Sequence, residues 1–374
     1  MSIDQQTRTT GTESPGPTPT AFAGASRAAN YVESESVPVT RVQATGPETG
    51  DVEPTEPVPV ASITRADIGL VGLTSGPTKA STGIRGLVAR IGISVPPSKT
   101  EVARLEVEAL LRRDEEVIRQ TTWTRAVSIL VANPKGGVGK TPTALALGGV
   151  LGSIRGGSVC IVEVSDDPGA LTFRAEGSPK LGLGELVRDV ATIRSAGQLA
   201  GYTAPQTSFA SVIGTIGRRP RLSKDDVVDV ARVIDDFYSV RIMDSGNQPS
   251  SSAFAGAVAT ADALVVPVYN TGDAVIDAVN LLLELRAQGD KAAALANRAT
   301  LLRLTDGRPE NPAVVERVEA MIHDAGFAQQ FAIPFDPHIA ERSQITLARL
   351  APQTVHAFTS AAAAVVRTLQ NTVR

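Results

Sequence analysis

The sequence predicts an α/β protein built on a doubly wound, mostly parallel sheet flanked by helices, preceded by a disordered N-terminal leader. Three observations predict it. From residue 125 onward, short apolar runs alternate with helical stretches. Those runs lack the in-and-out alternation of a half-exposed strand, so both of their faces must be covered. Hydrophobic residues make up 42% of the 374-residue chain but aromatics only 4%, so the core is made of Ala, Val, Leu and Ile.

Taken in order, residues 1–78 are rich in Thr, Ser, Pro, Gly and Glu, with Phe22 and Tyr31 as their aromatics. Such a composition cannot bury enough apolar surface to offset its ordering entropy, and the prolines of EPTEPVPV (53–60) favour an extended tether. Residues 79–124 form a basic amphipathic and charged helical segment. Ile84, Leu87, Val88 and Ile91 fall on one helix face, and Lys79, Arg85, Arg90 and Lys99 add four positive charges. Residues 79–99 could dock on a partner, on DNA, on an anionic membrane or on the main domain. Thr100 is the expected N-cap of the next helix, 100–120, with Glu108–Arg112 and Glu115–Arg119 as supporting i, i+4 pairs.

The main domain, 125–374, opens with the strand AVSILVAN (126–133) and the helix TPTALALGGVLGSI. SVCIVEV (158–164), SVRIMD (239–244) and ALVVPV (263–268) read as further buried strands. The helix DAVIDAVNLLLELRAQG follows, then strands within ALANRATLLRL (294–304) and FAIPF (331–335). An Ala-rich helix from about Thr354 to Asn371 docks back on the sheet.

Between the first strand and the first helix lies NPKGGVGKTPTA, 133–144. Gly136, Gly137 and Gly139 let a backbone curl around an anion with its N–H groups pointing inward. The helix N-terminus adds partial positive charge, Lys140 can reach the β- and γ-phosphates, and the Thr141 hydroxyl can ligate Mg²⁺. The strict pattern fails at its first glycine, which is Pro134. What is present is Lys135-Gly136-Gly137-Val138-Gly139-Lys140-Thr141.

That KGGVGKT core, after an apolar strand ending in Asn133, resembles the deviant Walker A loop of the ParA/MinD family of partitioning ATPases, over about residues 125–370. The resemblance implies that Lys135 is a signature lysine reaching across an ATP-sandwiched homodimer. It places the Walker B aspartate at Asp244, beside Thr141 at the Mg²⁺, and puts Pro334 and Asp336 of IPFDPHIAERSQI near the adenine. ATP and Mg²⁺ are the implied cofactors, with hydrolysis triggered by a ParB-like adaptor or a machine component.

Two positions depart from the family. Its Asp-x-Asp-Pro motif becomes Ser165-Asp166-Asp167-Pro168, so either Asp166 positions the attacking water or that carboxylate is missing. Pro142 replaces a threonine whose N–H contacts the α-phosphate, a loss of about 1.5–3 kcal/mol, or roughly 10- to 150-fold in affinity. Proline is tolerated in a first helical turn, so the fold need not suffer.

The expected activity is therefore an ATPase that positions or segregates plasmid or chromosomal DNA, or a protein complex. A Pro-rich leader before such a domain also resembles regulatory ATPases of actinobacterial type VII secretion, so a secretion or conjugation accessory is one alternative. A nucleotide-binding scaffold with little turnover is another. Arg218, Arg219, Arg221 and Lys224 in IGTIGRRPRLSKDD form a candidate surface for nonspecific DNA, although Asp225 and Asp226 offset their charge.

The net charge of −3 excludes a chain that is polycationic as a whole. The lone cysteine, Cys160, excludes a disulfide framework and reads as a small buried hydrophobe. His323, His338 and His356 lack ligand-like spacing. The N-terminus has no apolar signal core and no run long enough to span a bilayer, so the expected location is cytoplasmic, with nucleoid or membrane association left open.

Overall fold

The apolar run after Arg125 becomes strand β1 (Val127–Val131), every residue of it buried, at the centre of the sheet. The computed structural model describes residues 98–373; the predicted leader and residues 79–97 of the basic segment lie outside them. Eight strands line up in the order β3-β4-β2-β5-β1-β6-β7-β8. They are β2 (Val159–Val164), β3 (Ala204–Pro205), β4 (Ser211–Ile213), β5 (Val240–Ser245), β6 (Ala263–Tyr269), β7 (Thr300–Leu304) and β8 (Gln329–Ile333). All pairings are parallel except β3 with β4 at the edge, where Pro205 removes no ladder donor that a central strand would need.

Successive residues of β1 feed opposite faces, as the two-residue period requires. Leu130 joins one core with Val162, Met243 and Val266, covered by α6 (Lys224–Asp235), α7 (Ser252–Thr260), α8 (Gly272–Ala287), α9 (Asp290–Asn297) and α10 (Pro312–Ala325). Ile129 and Val131 join the other core with Ile161 and Ile242, under α1 (Lys99–Gln120), α2 (Lys140–Arg155) and α12 (Pro352–Thr372). Short helices α3 (Leu171–Arg174), α4 (Leu183–Asp189), α5 (Ala196–Ala200) and α11 (Pro337–Ala340) complete the connections.

The sequence places most of these elements and misjudges several details. Ser98, not Thr100, caps α1 by accepting from the Glu101 N–H at 3.1 Å, two residues earlier than predicted. Glu108 turns back to Arg104 at 3.8 Å instead of forward to Arg112, while Glu115–Arg119 forms at 3.9 Å. The inner face of α1 is buried at Ile118, and Asp114 bonds Arg367 of α12 at 2.7 Å. Residues 294–304 divide into the end of α9 and β7, because Leu295 and Ala296 pack as a helical face before the chain turns at Arg298. The last strand runs 329–333, two residues ahead of the predicted 331–335. Cys160 is fully buried, and burial holds its thiol far above the ordinary range.

Candidate nucleotide-binding site

Parallel strands expose their carboxyl ends along one edge, and ligands of such sheets bind there. In this chain the loops after β1, β2, β5 and β8 surround a cavity of about 680 Å³, within the span of small-molecule sites. Gly137, Gly139, Lys140, Thr141 and Pro142 line it together with Ser165, Asp166, Asp244, Pro334 and Asp336.

The 133–141 loop is fixed at its start by Asn133, whose buried amide donates to the Pro267 carbonyl at 2.9 Å and accepts from the Lys135 N–H at 2.9 Å. Gly137 and Gly139 then take φ of 77° and 92°, left-handed values open to glycine at little cost. Gly139 is the N-cap of α2 and offers no side-chain acceptor, so the first-turn N–H groups stay available to an anion. Pro142 stands in this first turn, where its missing N–H breaks no helical bond.

Lys140 is 8% exposed. Its ammonium donates to the Lys135 carbonyl at 3.0 Å and to Asn247 Oδ1 at 2.5 Å. Burial pulls its pKa down to about 8, against the smaller opposing pull of Asp244. Asn247 is a site residue that the sequence reading left unassigned inside the turn after β5. Its only sequence signal is its place three residues beyond the strand-ending aspartate.

Asp244, at the end of β5, accepts the Thr141 hydroxyl on Oδ2 at 2.7 Å. Its other oxygen, Oδ1, is buried without a partner. Burial pushes this carboxyl up to about 7, with the Glu163 charge adding and the Thr141 bond opposing. A buried carboxylate with one orphaned oxygen beside a threonine hydroxyl fits a divalent cation whose remaining ligands are water and phosphate oxygens. No group of three or more His, Cys, Asp or Glu side chains placed to hold a metal ion occurs among the described residues.

Lys135 points to the side instead of into the cavity. Its ammonium meets Asp273, in the first turn of α8, at 2.8 Å with 41% of the side chain exposed. The hydrogen bond from Lys135 holds the Asp273 carboxyl down at about 2.

On the opposite wall the altered motif after β2 makes an unpredicted arrangement. Ser165 does not face the cavity as a free hydroxyl: it donates to the Asp167 carbonyl at 2.7 Å and to Glu163 Oε1 at 3.2 Å. Glu163 is 1% exposed and pairs with Arg219 at 2.9 Å. Arg219 thus leaves the predicted DNA-facing cluster, its side chain being 1% exposed. The others are at the surface, Arg221 meeting Asp167 at 3.3 Å and Lys224 opening α6 just before its two aspartates.

At the far end, Pro334 and Asp336 both line the cavity, but both Asp336 oxygens are engaged. Oδ1 accepts the His338 N–H and Oδ2 the Ala351 N–H, each at 2.9 Å, so the carboxylate shapes the loop that forms this wall.

Comparison with known proteins adds names to this geometry. No family model and no curated protein matches the chain. The solved structures similar to it include ParA and MinD ATPases, McdA and a cobyrinic acid a,c-diamide synthase. A ParA family ATPase from Chlorobium tepidum superposes with a TM-score of 0.48 at 14% identity, over 66% of this chain and 97% of that one. The cell division ATPase MinD of Pyrococcus furiosus gives 0.48 at 18%, over 66% and 99%. MinD of Pyrococcus horikoshii, complexed with Mg-ADP, gives 0.47 at 18%, over 63% and 94%. No helix among the described residues is long and apolar enough to cross a membrane.

Proposed function

We propose that the chain is an ATPase of the ParA/MinD type, which binds Mg-ATP in the cavity bounded by residues 135–141 and Asp244 and uses it to position or segregate a cargo. The observation that carries this reading is the joined set Lys140, Thr141 and Asp244. A buried lysine with no carboxylate partner and a buried carboxylate with an orphaned oxygen leave two complementary needs, which a phosphate chain and its cation supply together.

In this reading the backbone N–H groups of 136–141 and the Lys140 ammonium bind the phosphates. Thr141 and Asp244 hold the Mg²⁺, which when bound neutralises charge developing between the β- and γ-phosphates. Asp166, at the same end of the cavity, orients the attacking water in place of the missing aspartate of the usual motif. In the nucleotide-bound homodimer this reading expects, Lys135 would leave Asp273 and reach across to the partner's phosphates. The exposure of Lys135 supports such a release, since a surface ion pair holds it only weakly. A ParB-like adaptor or machine component then prompts hydrolysis, and nonspecific DNA is held by Arg218, Arg221 and residues 79–99.

The test is one set of measurements on the wild type, Lys140→Ala and Lys135→Ala: nucleotide-dependent dimerisation, DNA co-sedimentation and phosphate release. Wild type should dimerise with ATP, and both variants should not. Phosphate release no faster than in Lys140→Ala, with DNA present, would reduce the protein to a nucleotide-binding scaffold. Loss of DNA binding with every nucleotide would remove the segregation role.

A further inference from the structure

The hydrogen bonds of Arg219 are more than an ion pair needs. Its Nη1 donates to the Asp166 carbonyl at 2.7 Å, and its Nη2 to the Ser165 carbonyl at 2.8 Å and to Glu163 Oε1 at 2.9 Å. Its Nε donates to the Thr215 hydroxyl at 2.7 Å, and Nη2 makes a longer contact to the Asp167 carbonyl at 3.3 Å. One planar guanidinium therefore collects three successive carbonyls of the loop after β2 and ties them to a carboxylate inside the sheet. Only arginine has enough donors in a fixed fork to do this. Glu163 Oε1 also accepts the Gly169 N–H at 3.0 Å, so the same pair closes both ends of the 165–169 loop.

That loop is a wall of the nucleotide cavity. Its start packs on Gly246, where an added Cβ would lie 3.1 Å from the Ser165 Cβ, one residue before the Asn247 that holds Lys140. Asp166 sits half-buried in the cavity lining, its backbone carbonyl held by Arg219.

We infer that Arg219 is a positioning residue for the reaction: by holding the 165–169 backbone from behind, it sets where Asp166 stands relative to the phosphate end of the cavity. This rests on the nucleotide reading above. Arg219 touches no ligand itself, so its removal should act on turnover and on loop order, not on nucleotide affinity.

The experiment uses the full chain with Arg219→Lys and the double variant Glu163→Gln/Arg219→Met, which removes both buried charges together and so keeps the fold. Backbone hydrogen exchange of the nucleotide-free proteins is the first readout. The Gly169 amide, bonded to Glu163 Oε1, should exchange at least about tenfold faster in both variants, while the amides of β2 and β5 keep their protection. The second is steady-state phosphate release, where kcat should fall about tenfold or more with KM and the affinity for a fluorescent ADP analogue within about threefold of wild type. Unchanged exchange at Gly169 in the double variant would overturn the inference, as would an affinity loss equal to the loss in kcat. If wild type itself fails to release phosphate above the Lys140→Ala background, the hydrolytic reading fails, and the exchange result still decides whether Arg219 holds the loop.

Discussion

The two walls of the cavity near the phosphate end are built by different means. The 133–141 loop is held by backbone geometry, a buried asparagine and one bond from Thr141 to Asp244; its buried Lys140 bonds to neutral oxygens, while Lys135 pairs with Asp273 at the surface. The 163–169 wall holds a buried glutamate–arginine pair and has its loop carbonyls satisfied, with Glu163 Oε2 its one buried side-chain oxygen lacking a hydrogen-bond partner. The first wall leaves charge to be balanced by a ligand; the second spends its charge on holding shape. A site that must bind a polyanion and also aim one carboxylate needs both kinds of wall.

The largest effect expected from breaking this contrast is at Arg219. Arg219→Ala strands a buried Glu163 and should cost about 3–5 kcal/mol in urea unfolding, most of it recovered when Glu163→Gln and Arg219→Met are combined. A cost below about 1 kcal/mol would show the second wall to be no stiffer than a surface pair.

Next is Asp244→Asn on the first wall. The Mg²⁺-dependent part of nucleotide affinity should fall by roughly 10- to 150-fold, the size expected for losing a charged ligand interaction. Stability should move the other way. Because burial raises the Asp244 pKa to about 7, the folded ligand-free protein binds more protons than the unfolded chain between about pH 4 and 7. Wild-type stability from this group is thus complete below about pH 4 and is lost as the pH rises through 7, and in Asp244→Asn that slope should disappear.

Pro142→Thr restores a first-turn N–H facing the phosphates and should tighten nucleotide binding by roughly 10- to 150-fold without changing stability by more than about 1 kcal/mol. The smallest expected effect is at Asp273. Its carboxyl should titrate near 2 by NMR in wild type and move up toward its ordinary range in Lys135→Ala, with the fold unaffected.

The contrast also explains what could be read without coordinates. The first wall was legible because its chemistry is local: seven consecutive residues, an apolar strand before them and a helix after them carry it. The strands around it were legible because β1, β2, β5 and β6 are short, predominantly apolar runs. The second wall was not, because Glu163 and Arg219 lie more than fifty positions apart and look like a strand interruption and part of a basic run. Asn247 was missed for the same reason, since its bond to Lys140 spans 107 positions. Helix α6 could have been found: Ser223 and Asp226 form a capping box, and Val227, Val230, Ala231 and Ile234 follow at helical spacing. The neighbouring arginines drew that stretch toward a loop reading instead.

The central claim is that the first wall holds one Mg-nucleotide through Lys140, Thr141 and Asp244. Calorimetric titration of the full chain with Mg-ATP tests it most directly. The account predicts one saturable site per chain, weakened when Mg²⁺ is chelated and abolished in Lys140→Ala. Equal binding by wild type and Lys140→Ala, or no binding by either, would contradict it.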